Sequence, residues 1–380
     1  MERVYLDHAA TSPMHPEVID EMTAVMKETF GNPSSIHSFG RASRHLVDRA
    51  RTIIAESIHA DYNEIIFTSG GTEADNLAII GTAEANKEKG NHIITTQAEH
   101  HAVLHACEFL ESKGFEVTYL PVDRSGRISL HDLEKELREE TILVTIMFGN
   151  NEVGTLQPIK EIGELLMDHQ AIFHTDAVQA FGLTAIDVRE LGVDLLSVSG
   201  HKINGPKGIG FLYSHKDVDL QPGSHGGEQE RKRRAGTENV PAIVGLGKAV
   251  ELAQHSLEEK RASLSGLKNL LRQTLGDEGI KFEENGSLEH GLPHVLNLSF
   301  PGTDVESMLM NLDMSGIAVS SGSACTAGSI EPSHVLVAMY GKQSEQSRNS
   351  IRFSFGLGNT EEEIKRTAHE VANIVKRLTT

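Results

Sequence analysis

Between about residues 60 and 215 the chain alternates short β-branched and apolar runs with longer stretches of mixed apolar and charged residues. The short runs at 64–68, 92–96, 116–120, 142–147, 171–175, 194–198 and 208–213 predict strands. Several are apolar at successive positions, as in Ile142-Leu143-Val144, which suits strands covered on both faces. Helical stretches such as 72–89 and 159–168 lie between many of them. This alternation predicts an open α/β sheet, largely parallel. A long helical run then extends from Val240 to about Leu275, rich in Ala, Leu, Glu and Lys. Beyond Asp277 the texture changes: strand candidates 295–300, 317–320 and 350–355 alternate with helices at 304–313 and 360–378, the pattern of a separate α+β domain. No internal repeat or low-complexity tract interrupts it.

Composition narrows the class. The chain of 380 residues is long enough for two domains, and its formal net charge of −19 argues against a general nucleic-acid binder, which needs a basic face. The run Arg231-Lys232-Arg233-Arg234 is the main exception, and reads as a solvated loop that offsets nearby acids. The start, Met1-Glu2-Arg3-Val4-Tyr5-Leu6-Asp7, lacks the apolar core of a secretory signal, and no apolar run is long enough for a transmembrane helix. Two cysteines cannot make a disulfide framework. A cytoplasmic protein without membrane or direct nucleic-acid partners is expected.

Ligands of parallel sheets bind beyond the carboxyl ends of the strands, and polar clusters fall at such ends here. Thr68-Ser69-Gly70-Gly71-Thr72-Glu73-Ala74-Asp75-Asn76 runs from a strand through glycines into a helix, either a phosphate cup or a plain βα turn. His174-Thr175-Asp176-Ala177-Val178-Gln179 and Ser199-Gly200-His201-Lys202 follow two further strands, so Asp176 and Lys202 should share one sheet edge. An aldehyde cofactor needs a lysine amine for a Schiff base, an aspartate for its pyridinium nitrogen and a phosphate cup. Pyridoxal 5′-phosphate is the economical reading. In Glu99-His100-His101-Ala102-Val103-Leu104-His105, His101 and His105 stand four apart, but no third ligand with matching spacing is evident, so no metal is expected. His100, at the helix start, is better used as a ring over a flat cofactor.

Cys107 follows Ala102, Val103, Leu104 and Ala106 and reads as a small buried hydrophobe. Cys325 stands instead in Ser320-Ser321-Gly322-Ser323-Ala324-Cys325-Thr326-Ala327-Gly328, small residues that bury little and predict a mobile loop over about 320–333. Its thiol is either an inert loop cysteine or a carrier of sulfur.

Taken together the motifs resemble the NifS/IscS-type cysteine desulfurases, pyridoxal-phosphate enzymes of the class-V aminotransferase group. The resemblance runs nearly end to end, through Tyr5–Thr11, Gly31–His37, Thr68–Asn76, Asn150–Gly154, Asp176–Gln179, Ser199–Gly210, Arg234–Asn239 and Ser320–Thr326. It implies a pyridoxal-phosphate fold of type I, with a large domain over 15–260 and a small one built from 1–14 and 261–380. It implies that Lys202 carries the cofactor, Asp176 pairs its ring nitrogen and His100 stacks on the ring and assists proton transfers. Asn151 and Gln179 would meet the phenolic oxygen, and Gly71, Thr72, Ser199 and His201 the phosphate. Thr237 would reach the phosphate of a neighbouring subunit, hence a homodimer. Arg352, with Asn32 nearby, would grip the carboxylate of L-cysteine. Cys325 would take the substrate sulfur as a persulfide, leaving alanine.

The Ser-Ser-Gly-Ser-Ala-Cys context is similar to the group with a long cysteine loop, which suits direct delivery to an acceptor protein. An iron–sulfur scaffold or a tRNA-thiolating enzyme are the candidate acceptors, and a transient iron–sulfur ligation by Cys325 at a scaffold stays open. Gly356-Leu357-Gly358-Asn359 departs from the more usual Gly-Arg start of that segment, and the short C-terminus leaves the partner's identity open. Selenocysteine lyase and aminotransferase are the rival activities; the latter needs no thiol.

Overall fold

The computed structural model describes residues 3–321 and 331–380. Strands β1 (Val4–Tyr5), β2 (Ile65–Thr68), β3 (His92–Thr96), β4 (Glu116–Leu120), β5 (Thr141–Thr145), β6 (Ile172–Asp176), β7 (Leu195–Ser199), β8 (Gly210–Ser214), β9 (Glu283–Asn285), β10 (Val295–Ser299), β11 (Ile317–Ala318) and β12 (Ser350–Ser354) are joined by helices. These are α1 (Pro16–Glu28), α2 (Ser38–Ser57), α3 (Gly71–Asn86), α4 (His101–Glu111), α5 (Leu130–Glu136), α6 (Ile159–Leu166), α7 (Val240–His255), α8 (Leu257–Asp277), α9 (Val305–Met314), α10 (His334–Tyr340), α11 (Gln346–Asn349) and α12 (Glu361–Leu378).

β2 to β8 form a seven-stranded sheet in the order β2-β8-β7-β6-β5-β3-β4. It is parallel from β7 to β4, whereas β8 runs antiparallel to both β7 and β2. The reversal has a simple cause: only residues 200–209 separate β7 from β8, too few for the crossover that a parallel return requires. β2 is thereby restored to the direction of β7, so the carboxyl ends of six strands, β2 to β7, open on one edge. Successive residues supply opposite faces of the sheet. Ile65 and Phe67 join the main core while Ile66 packs on the other side, and Ile94 and Ile93 divide in the same way. These strands are buried at every position, as expected from their unbroken apolar runs.

A second core collects Val4, Leu6, Leu271, Leu296, Leu298, Phe300, Phe353 and Val371 around the antiparallel sheet β12-β10-β9. The helical run after residue 240 breaks at Ser256. Its first half gives Ile243, Leu246 and Val250 to the main core and its second gives Leu264 and Leu271 to the other, so the break hands the chain from one core to the next. β1 returns the N-terminus to this second core by pairing with β11. The residues beyond β1 then cross back: Ser354 N–H donates to Leu6 O (2.8 Å), and Ser12 N–H donates to His201 O (3.0 Å). Among the described residues no helix is long and apolar enough to cross a membrane.

The basic run at 231–234 is tied down locally. Lys232 pairs with Glu228 (3.1 Å), Arg234 with Glu73 (2.8 Å), and Arg233 donates to Asn63 O (2.6 Å). Beside it, Arg51 and Glu230 form a buried two-pronged ion pair, with Nη1 to Oε2 at 2.8 Å and Nη2 to Oε1 at 2.6 Å. Arg51 also donates to Ile65 O (2.6 Å), and Glu230 Oε2 accepts from Phe67 N–H (3.2 Å), so the pair fastens α2 and the loop after residue 228 to β2. Truncating one member of such a pair strands the other charge. Glu230→Gln should therefore lower unfolding free energy by about 3 kcal/mol in urea denaturation; a loss below about 1 kcal/mol would show the pair to be worth no more than a surface bridge.

Candidate active site

Five of these strand ends, those of β2, β3, β5, β6 and β7, surround a cavity of about 370 Å³. Gly71 and Thr72 reach it after β2, His100 after β3, Asn151 after β5, Asp176 and Gln179 from β6, and Ser199, His201 and Lys202 from β7. Arg352 and Ser320 enter from the small sheet, and Ala9 and Ala10 cross its floor. Asn32 and Thr237 do not line it; both are exposed on this chain's surface. Cys325 lies outside the described residues, and the chain enters its segment beside Ser320 on the cavity wall.

The start of α3 is shaped for an anion. Gly70, with φ +152°, turns the chain from β2 into the helix, and among the described residues no side chain caps that helix. A Cβ on Gly71 would meet Val178 Cγ2 at 2.8 Å, so only glycine lets the backbone pass this close to the β6 loop. An uncapped N-terminus carries partial positive charge and open N–H groups, and Ser199 and His201 stand beside it on the same wall.

Lys202 Nζ donates to the carbonyls of Ala9 and of Ala10, the latter at 2.8 Å. Burial, followed by the charge of Arg352, holds its amine down to about 8 against the opposing pull of Asp176 and Asp7. Gln179 is fixed at both ends, donating to Ala9 O (2.9 Å) and accepting from His294 Nε2 (3.0 Å). Arg352 is buried on β12; Nη2 pairs with Asp7 Oδ1 (2.8 Å) and Nη1 donates to Asn151 O (2.9 Å). Its Nε is buried without a hydrogen-bond partner among the described residues, an unanswered donor at the cavity. His100 caps α4 by accepting from Ala102 N–H at Nδ1 (3.1 Å), which leaves the proton of the neutral ring on Nε2. Surrounding protein mass, then Lys202 and the neighbouring histidines, keep its imidazole neutral to about pH 4 although it stands open to the cavity.

One participant sits outside the sequence expectation. Asp75, buried on α3, also lines the cavity, and its carboxylate, that of Asp176 and a ring nitrogen of His100 all lie within 4.8 Å of one another. Two carboxylates this close in a dry site do not both ionise. Asp176 accepts Val178 N–H (2.9 Å) and feels Lys202, so burial raises it only to about 6. Burial and the charge of Asp176 push Asp75 well above the carboxylate range despite a hydrogen bond from Ser197, and Oδ1 has no hydrogen-bond partner among the described residues. His174, 3.6 Å from Asp75, is held neutral by burial to about pH 3 while its ring nitrogens meet Thr145 (2.8 Å) and Ser197 (3.0 Å). The proton of the pair therefore resides on Asp75 and the charge on Asp176.

The chain matches the family model for aminotransferase class-V over residues 4–367. It belongs to that family. A Bacillus subtilis (strain 168) member named putative cysteine desulfurase IscS 1 is 64% identical over 379 residues, with 100% of both chains covered. Among solved structures a NifS-like protein superposes at TM-score 0.92 with 36% identity, over 99% of this chain and 100% of that one. A second, described as SspA in complex with cysteine, superposes at 0.80 with 39% identity, over 93% and 98% of the two chains. The mixed α/β fold with its large, mostly parallel sheet is the type-I fold of pyridoxal-phosphate enzymes.

Nothing in the residue pattern of this class-V chain marks Asp75 except its place five residues after Gly70 in a motif read for its glycines. Cys107 is fully buried, and burial pushes its thiol far up, in keeping with a packing role. His101 stacks on His105 at 5.1 Å and lies 4.6 Å from the His334 ring, but these three do not gather their nitrogens as a metal site would. Replacing Asp75 tests the shared proton. The infrared difference between native protein and Asp75→Asn at neutral pH should contain the C=O stretch of a buried, protonated carboxylic acid. No such band in the difference would mean that Asp75 is ionised.

Proposed function

We propose that the chain is a cysteine desulfurase, converting L-cysteine to L-alanine and taking the sulfur onto Cys325. The observation that carries this reading is the meeting of Lys202, Asp176 and Arg352 in one cavity whose edge, at Ser320, leads directly into the cysteine segment. Cys325 is five positions beyond Ser320, a tether of at most about 18 Å. Its relatives named cysteine desulfurase and the neighbour holding cysteine support the same activity.

Pyridoxal phosphate fits the residues present: an amine brought down to about 8, a carboxylate kept charged beside it, and an uncapped helix start for a phosphate. Lys202 would hold it, with Asp176 at its ring nitrogen, His100 against its face, Asn151 and Gln179 near its phenolic oxygen, and Gly71, Thr72, Ser199 and His201 on its phosphate. When bound it supplies an electron sink for the bond cleavage. Arg352 binds the substrate carboxylate, its fork set by Asp7 and Asn151 and its unanswered Nε still to be matched. Lys202 Nζ, once neutral, takes the proton from the substrate Cα, and neutral His100 moves protons within the cavity. The thiolate of Cys325 attacks the substrate sulfur. One carbon–sulfur bond breaks and one sulfur–sulfur bond forms, so alanine and a persulfide account for every atom without an added oxidant.

Thr237 and Asn32 would complete a partner's site in a homodimer. Their exposure supports this, as do the exposed apolar side chains Met26, Phe30, Ile36 and Phe39 along α1 and the start of α2. The large domain would then span residues 15–260 and the small one 1–14 and 261–380, a division the two cores support except where Val335, Leu336 and Met339 of α10 pack into the main core and Leu183 into the second. A persulfide carrier works in a reducing compartment, so the cytoplasm is its setting, and an iron–sulfur scaffold or a tRNA-thiolating enzyme its acceptor.

Two substitutions separate the roles. Cys325→Ser should retain the visible absorbance of the bound cofactor yet lose sulfide release by at least about a hundredfold. Lys202→Ala should abolish turnover, because the attachment point and the Cα base are lost together. Full desulfuration by the serine variant, or normal turnover by the alanine variant, would refute the corresponding assignment.

A further inference from the structure

A second cavity, of about 400 Å³, lies behind the Lys202 segment where the two cores meet. Ile203 and Asn204 form one wall, Leu252 at the end of α7 another, Leu264 and Leu267 of α8 a third, and Gly356–Asn359 after β12 the last. Lys260, on the first turn of α8, lines it. The ammonium group makes no hydrogen bond or ion pair among the described residues, and burial alone lowers it to about 8. It is therefore still mostly charged at neutral pH. Among the described residues no carboxylate lines the cavity: its other ionisable side chains are His15 and His255, while Glu258 and Glu259 of the same helical turn are exposed and do not line it. The nearby imidazoles of His8 and His294 are bases too, both held neutral by burial and by the charge of Lys260.

A half-buried cation in the wall of an apolar chamber of ligand size, with no counter-charge among the described residues, lacks there the partner that such groups normally have. We propose that this cavity is a binding site for a small organic monocarboxylate with an apolar body, its carboxylate on Lys260 and its hydrocarbon part against Leu252, Leu264 and Leu267. An inorganic anion would satisfy the amine but leave the leucine wall uncovered. The site is separate from the Arg352 cavity yet shares a wall with it in the chain. Asn204, two residues after Lys202, is held at φ +61° by Ser12 Oγ (3.0 Å to its N–H) and by Pro13 O (2.8 Å from Nδ2). An occupant would thus touch Asn204, which is hydrogen-bonded to the segment that follows Ala9 and Ala10.

Calorimetric titration of the cofactor-loaded enzyme with hexanoate, and in parallel with inorganic phosphate, tests the proposal. Hexanoate should bind saturably, at least tenfold more weakly to Lys260→Met, and with affinity recovered in Lys260→Arg. The methionine variant removes the charge while keeping most of the side-chain length, and unchanged cofactor absorbance and melting confirm its fold. Equal hexanoate affinity in the methionine variant would put the acid on Arg352 and overturn the proposal. So would the absence of saturable binding to native enzyme, or phosphate binding as tight as that of hexanoate.

Discussion

Lys202 is held by main-chain carbonyls of the N-terminal strap, and the architecture of the site depends on that contact. The amine donates to Ala9 and Ala10, Gln179 donates to Ala9 as well, and the Ser12 hydroxyl donates to His201 O (2.7 Å). The strap is itself anchored in the small sheet, where Ala9 N–H donates to Ser354 Oγ (2.9 Å) and Asp7 grips Arg352. A residue from each core thus meets across a few backbone groups. Without the strap the lysine on β7 and the arginine on β12 would have no common reference. Carbonyl oxygens satisfy an ammonium ion without neutralising it, so the lysine stays available for chemistry that a carboxylate partner would suppress.

The second constraint is electrostatic. Asp75, Glu99 and Asp176 are all buried near one another, and burial raises Glu99 to about 8. The fold accommodates them by keeping most of the neighbourhood neutral: the two other acids protonated, His100, His174 and His201 uncharged, and one carboxylate left ionised where a backbone N–H and Lys202 favour it. A single buried carboxylate charge beside Lys202 acts more selectively in a low-dielectric cavity than several that repel each other.

The sequence made the strand-end residues legible because parallel sheets place ligands at one edge, so Lys202, Asp176, Ser199 and Gly71 could be grouped before any coordinates. The short apolar and β-branched runs also located every strand of the large sheet. What stayed hidden depends on long-range contact. Asp7 and Arg352 are 345 positions apart and no local pattern links them. Asp75 is one more polar residue on α3 until the β6 loop is laid beside it. The break at Ser256 was masked by uniformly good helix formers on either side, and the reversal of β8 followed from connection length rather than strand composition. The two helices before residue 60, α1 and α2, and the short strand β9 also passed unread.

The central claim is that substrate sulfur moves to Cys325 through the cavity that Lys202 and Arg352 define. Mass spectrometry of the cofactor-loaded protein after a brief exposure to L-cysteine, with thiols trapped by alkylation and the chain digested, tests it most directly. The account predicts one added sulfur atom on the peptide containing Cys325 and none on the peptide containing Cys107. Added sulfur on Cys107 instead, or stoichiometric alanine formation with an unmodified Cys325 peptide, would contradict it.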